Sequence, residues 1–214
     1  PVSLRPTNTR HINEFIIEQV AKEPRFYGYG TVHAGMLDLC EEVEFIMANG
    51  LRGLKMHTDC QVFPIDDPRL FPVYEMAQDK LPILFHMGDR RYDYSHPKRL
   101  RKVLELFPKL QVIAAHFGGY TMHEIAKEEL KGKDCFFDVS SSLMFMEEGV
   151  AEAYINHYGA ERFVYGSDFP MWNPVVEMER FQRLKLSDSQ KEQIAHITAE
   201  QILEAANQIF VPDH

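Results

Sequence analysis

Short apolar runs rich in β-branched and aromatic residues alternate along this chain with longer stretches whose apolar positions recur every three to four residues. The runs cover 26–33 (FYGYGTVH), 53–57 (GLKMH), 83–86 (ILFH), 112–116 (VIAAH), 136–140 (FFDVS) and 163–168 (FVYGSD). Each has the continuous apolar character of a strand buried on both faces of a parallel sheet. From Pro97 to Leu106 the spacing is helical, with Leu100, Val103, Leu104 and Leu106 as the apolar stripe and Lys98, Arg99, Arg101 and Lys102 facing water. Two C-terminal helices are expected to begin at Ser187 and Thr198, each with a glutamine three residues on (Gln190, Gln201), the spacing of a capping box.

Each run closes on a polar or ionisable residue: His33, His57, His86, His116, Ser140 and Asp168, separated by 24, 29, 30, 24 and 28 positions. A (β/α)₈ barrel spends roughly 30 residues on each β/α unit and gathers its chemistry at the C-terminal strand ends. The pattern therefore predicts an α/β fold of the TIM (β/α)₈ type, in one domain over residues 1–214. A doubly wound sheet would carry a phosphate loop after its first strand. Here the segment from Gly28 to His33 lacks the third glycine, and neither GxxxxGK[ST] nor GxSxG occurs, so nucleotide-binding and serine-hydrolase readings have no anchor.

Composition narrows the partners. The 214 residues are 45% hydrophobic, 12% aromatic and 26% charged, which excludes disorder and fibrous repeats. With 32 acidic against 23 basic residues and no basic patch, the net charge of −9 argues against nucleic acid and anionic membrane as partners. No apolar run is long enough for a membrane span or signal segment. Cys40, Cys60 and Cys135 are odd in number and form no CxxC pair, which fits free thiols and a cytoplasmic location.

His57, His86, His116 and Asp168 form the strongest candidate set, because imidazoles and a carboxylate at converging strand ends are the donors a divalent metal uses. Lys55 lies two positions before His57, so in a strand both point to one side, inward if Leu54 and Met56 pack outward. Such a lysine binds a substrate anion, becomes carboxylated as a metal bridge, or pairs with an acid of a neighbouring strand. In the loop after His86, Arg90 and Arg91 offer planar forks for a substrate carboxylate, with a solvated turn as the alternative. Gly118 and Gly119 read as a turn. Ser140, Ser141, Ser142 and Trp172 read as possible pocket walls or as ordinary loop residues.

The strings LPILFHMGD, LQVIAAHFGG, FFDVSSS and ERFVYGSDFPMW, in this order and at these separations, resemble the amidohydrolase-related family of metal-dependent TIM barrels, in its amidohydrolase-2 branch. That family contains hydrolases of small amides, esters and lactones as well as non-oxidative decarboxylases. The resemblance implies one divalent ion, zinc first among the choices, with His86 and Asp168 as ligands. It implies that His116 is the acid–base residue and that Asp168 doubles as base toward metal-bound water.

The family's first strand carries a His-x-His pair of further ligands, and no HxH occurs in this sequence. The run ending at His57 aligns with the fourth strand, so the barrel is expected to be incomplete at the N-terminus, lacking its first β/α unit, with His57 the nearest supplementary donor. A shortened gene product, an expressed fragment, or an incomplete barrel completed by self-association would each explain this. The last favours a homo-oligomer, since an open parallel edge invites pairing.

The resulting expectation is a metal-dependent hydrolase of a small carboxylate-bearing substrate, in which Lys55, His57, Arg90 and Arg91 bind the substrate. A decarboxylase of the aminocarboxymuconate semialdehyde or resorcylate type on the same scaffold is the alternative. A catalytically inactive barrel fragment serving in binding or assembly is the third.

Overall fold

The computed structural model describes residues 1–207. Five short strands, β1 (Leu54–Met56), β2 (Ile83–Phe85), β3 (Val112–Ala114), β4 (Phe136–Asp138) and β5 (Phe163–Val164), form one all-parallel sheet in chain order. Around them run α1 (Thr9–Lys22), α2 (Leu39–Ala48), α3 (Thr58–Gln61), α4 (Phe71–Ala77), α5 (Pro97–Leu106), α6 (His123–Glu129), α7 (Val150–Tyr158), α8 (Pro174–Gln182), α9 (Asp188–Glu192) and α10 (Thr198–Asn207). Sequential parallel strands with helical crossovers are the barrel topology read from the sequence, present here as an incomplete barrel.

Strand alternation sorts the side chains. Leu54, Met56, Ile83, Phe85, Val112, Ala114, Phe137 and Phe163 join the main core with Val43 and Ile46 of α2, Tyr74 of α4 and Leu100 and Val103 of α5. Full burial of such side chains contributes about 1.5–3 kcal/mol each, which holds strands of two or three residues in place. The opposite face carries Lys55, Leu84, Ile113, Phe136, Asp138 and Val164, in a register that pairs Lys55 with Leu84, Leu84 with Ile113, Ile113 with Phe136 and Asp138 with Val164. Ile113 and Val164 pack there against Ile202 of α10. Residues just past the strands therefore collect at one end of the arc.

Three expectations about elements need correction. The run 26–33 is not a strand of its own: Gly30 makes an isolated parallel bridge with Leu54, and Phe26 and Tyr27 are exposed. Its glycine backbone does pair with the edge of β1, Gly30 N donating to Gly53 O at 2.9 Å and Lys55 N to Gly30 O at 2.7 Å. A Cβ at Gly30 would meet Ile46 Cδ1 at 2.7 Å, so glycine lets α2 approach this edge at the expense of a side chain that would extend the strand.

Leu106 is exposed, because a position six residues after Leu100 lies on the opposite helix face; Phe107 completes the stripe instead. Helix α10 does begin at Thr198 as expected, but it is not separate from α9. The Ser187 capping box with Gln190 forms as expected, but α9 continues through a π-helical segment, Gln193–Ile197, straight into α10, and the Thr198 hydroxyl donates to Gln193 O. No helix among the described residues is long and apolar enough to cross a membrane, and Cys40, Cys60 and Cys135 are all free.

Candidate active site

The strand ends bring His57, His86 and His116 into one contiguous group. The His57 and His86 rings stack at 3.7 Å with 11° between planes, and His116 Nε2 lies 3.0 Å from His86 Nδ1. On its other side His116 Nδ1 lies 3.1 Å from the Ser140 carbonyl oxygen and 3.0 Å from Ser140 Oγ. A carbonyl only accepts, so Nδ1 carries the hydrogen.

Asp138, the last residue of β4, anchors this arrangement from beneath. Its Oδ1 accepts from His116 N at 2.9 Å, Ser140 N at 2.9 Å and Ser140 Oγ at 2.6 Å, and lies 3.9 Å from His116 Nδ1. These bonds hold His116 at φ 60° and Phe117 at φ 54°, left-handed conformations that cost a non-glycine residue about 1–2 kcal/mol each. Ser141 and Asp168 share that region, at φ 53° and 55°. Four such residues at the strand ends mark this end of the arc as the part of the fold where backbone strain is concentrated.

Burial lowers the pKa of all three imidazoles. His57 falls to about 4, with Lys55 and His116 adding to the effect of burial. His86 is held far below its usual range by burial and by its histidine neighbours. For His116 burial outweighs the Asp138 carboxylate, which acts in the opposite direction. Neutral imidazoles are what a divalent ion requires. His86 Nε2 is buried and meets no hydrogen-bond donor among the described residues, so the site's donors fit such an ion at His86.

Beside this group opens a cavity of about 710 Å³ whose wall includes Lys55, His116, Asp138, Ser140 and Asp168. Tyr29, Leu84 and Phe169 supply apolar surface to the same wall. Burial lowers the Lys55 ammonium pKa, against the attraction of Asp138 and Asp168. The acid facing Lys55 thus comes from β4 and from the loop after β5, not from the adjacent strand β2. His57, near enough to Lys55 for that ammonium to lower its pKa, also caps α3, where its Nδ1 accepts from Cys60 N at 3.4 Å.

Asp168 Oδ2 accepts from Ser141 Oγ at 2.6 Å, and Ser141 Oγ accepts in turn from Trp172 Nε1 at 2.8 Å. Asp168 thus shares the cavity with His116 and Lys55, whereas His86 groups with His57 and Asp59, one ligand atom of each lying within 4.8 Å of the others. Arg90 donates to Thr121 O at 2.7 Å, and Arg91 pairs with Asp89 at 2.6 Å, so both guanidiniums are engaged by loop partners. Gly119 N donates to His116 O, as the turn reading expected.

Sequence reasoning missed Asp138, Asp59 and Ser95. Asp138 was legible in principle, since Asp138 and Ser140 alternate with Phe137 and Val139 as Lys55 and His57 alternate with Met56. Asp59 was not, because it sits in the one-turn α3 and meets Ser95 across 36 positions.

The family model described as Amidohydrolase matches residues 2–204. An uncharacterised TIM-barrel protein from Bordetella bronchiseptica superposes with a TM-score of 0.81 at 22% identity, over 91% of this chain and 73% of that one. The 5-carboxyvanillate decarboxylase of Sphingomonas paucimobilis gives 0.76 at 18% identity, over 93% of this chain and 73% of that one. A dihydroxybenzoic acid decarboxylase from Polaromonas sp. JS666, solved with manganese and the inhibitor 2-nitroresorcinol, gives 0.75 at 17% identity, over 96% of this chain and 78% of that one. These likenesses agree with the barrel fold.

Proposed function

We propose, from the premise that this chain belongs to the amidohydrolase family, that it is a metal-dependent, non-oxidative decarboxylase of a small aromatic or enolic carboxylic acid. The observation that carries this reading is the single cavity in which His116, our candidate acid–base residue, and the half-buried Lys55 share a wall with Tyr29, Leu84 and Phe169. Apolar and aromatic walls suit a flat ring, and Lys55 suits an oxyanion on that ring. Two of the solved relatives, at 18% and 17% identity, are decarboxylases of such acids, which supports the same direction.

In the reaction a proton is delivered to the ring carbon that bears the carboxylate. The carbon–carbon bond then breaks, its electron pair returns to the ring, and carbon dioxide leaves uncharged. His116, neutral at rest, takes up that proton from water as the substrate is bound and passes it on, with the Asp138 carboxylate 3.9 Å behind its Nδ1 to support the transient imidazolium. Lys55 holds the substrate oxygen opposite Asp138 and Asp168. A divalent ion held at His86 would supply electrostatic stabilisation of substrate oxygens, and imidazole and carboxylate donors suit zinc and manganese alike.

Hydrolysis, ranked first by the sequence, is the second reading. It is favoured by Asp168, which lines the same cavity and offers a base for water. Incubating the protein with hydroxybenzoates, carboxylated enols and lactones, in zinc or manganese, separates the two. Carbon dioxide release that falls at least about 100-fold in His116→Asn supports decarboxylation. Lactone opening without carbon dioxide transfers the assignment to hydrolysis, and inactivity on every compound returns it to a binding module.

A further inference from the structure

We infer that His57, Asp59 and His86 form a divalent-cation site of their own at the ends of β1 and β2, one that does not use Asp168. One donor atom from each of the three lies within 4.8 Å of the others. The inference deepens the metal dependence proposed above and rests on that reading only for its role in turnover.

The hydrogen-bond directions argue for it. Ser140 O fixes the hydrogen on His116 Nδ1, so Nε2 of the neutral His116 ring accepts from His86 Nδ1. His86 Nε2 is then a bare lone pair, buried and without a donor partner among the described residues. Its nearest charged neighbour is the Asp59 carboxylate, Oδ2 at 3.7 Å. Two acceptors facing each other at that distance are unfavourable without a positive charge between them.

Geometry agrees with the electrostatics. On a tetrahedral ion with bonds of about 2.1 Å, neighbouring donors stand about 3.4 Å apart. The 3.7 Å between His86 Nε2 and Asp59 Oδ2 is close to that spacing in the structure as it stands. Asp59 is held in orientation by Ser95, whose Oγ donates at 2.5 Å and whose N donates at 3.1 Å, the kind of outer hydrogen bonding that fixes a ligating carboxylate. The His57 ring stacks on His86, and its nitrogens meet only Cys60 among the described residues, 3.4 Å from N and 3.5 Å from Sγ.

The test measures binding directly. Chelator-stripped protein is titrated with zinc and with manganese alone, reading stoichiometry by elemental analysis and affinity by calorimetry, for the wild type and for His57→Ala, Asp59→Asn and Asp168→Asn. The expected result is about one ion per chain, an affinity falling at least about 10-fold in His57→Ala and Asp59→Asn, and less than about 3-fold in Asp168→Asn. Loss of binding in Asp168→Asn with Asp59→Asn unaffected would overturn the assignment, as would a wild type that binds neither ion.

Because Asp59 is buried and its variant can fail to fold, alkylation of the exposed Cys60 in the wild type gives an independent reading. Zinc should slow that reaction while leaving Cys40 unchanged, and an unchanged Cys60 rate at saturating zinc counts against the site. Ion binding by a protein that releases no carbon dioxide would sink the proposed reaction and leave this site standing.

Discussion

Replacing Asp138 tests whether one buried carboxylate holds the C-terminal strand ends together. Its Oδ1 is the acceptor for two buried backbone donors, His116 N and Ser140 N, and for Ser140 Oγ. In Asp138→Ala both backbone N–H groups lose their partner. A buried unsatisfied donor costs about 1–3 kcal/mol, so the two backbone groups together cost about 2–6 kcal/mol, and the Ser140 hydroxyl loses its acceptor with them. Asp138→Asn keeps an acceptor oxygen in place and loses only the charge. Charge-assisted bonds are about twice as strong as neutral ones, so that variant should lose about 1–2 kcal/mol.

Urea unfolding followed by far-ultraviolet circular dichroism measures both losses, provided the denaturant slope is unchanged. The expected order is wild type above Asn above Ala. Equal losses for the two variants, or less than about 1 kcal/mol for Ala, would refute the account, because the backbone donors would then have found other partners.

Two further predictions follow from geometry and charge. A Cβ on Gly88 would come 2.4 Å from Gly119 Cα at φ +69°, whereas Gly50, at φ +77°, has nothing within 4 Å. Gly88→Ala should therefore lose more than about 3 kcal/mol or fail to accumulate folded, and Gly50→Ala about 1 kcal/mol; thermal melts showing similar losses would contradict the steric argument. On the acid side, burial raises the Asp66 carboxyl pKa, but hydrogen bonds from Lys102 and Arg99 outweigh it and hold it below the usual range. Arg69 does the same for Asp67, and Arg91 for Asp89. Depressed folded-state values mean that this stability is complete above about pH 4 and is lost as pH falls through them. Asp66→Asn should flatten the acid limb of a stability–pH curve, and an unaltered limb would remove Asp66 from the account.

Much of the fold was legible because burial writes itself into the chain as a period. The five runs from 53–57 to 163–168 each contain a strand, and Lys55 alternates with Leu54 and Met56 as a half-buried residue between core positions. What misled was also local. The run 26–33 reads as a strand by composition, yet its two glycines give an edge too short for one. Thr198 carries a capping signal and opens α10, yet marks no break in the chain because the π-helical segment joins α10 to α9.

The site divides in the same way. The sequence by itself determined that His57, His86, His116, Ser140 and Asp168 follow their strands, since the end of each apolar run marks the end of a strand. Only the tertiary structure decided which of them meet. His116 joins His86 and Ser140, His57 stacks on His86 beside Asp59, and Asp168 turns to Ser141 and Trp172. The physical reason is that periodicity fixes the face on which a residue lies but not its neighbours across the sheet. Those depend on strand register, on the sheet's curvature, and on loop conformations such as the left-handed turns at His116, Ser141 and Asp168, which residue type alone does not specify.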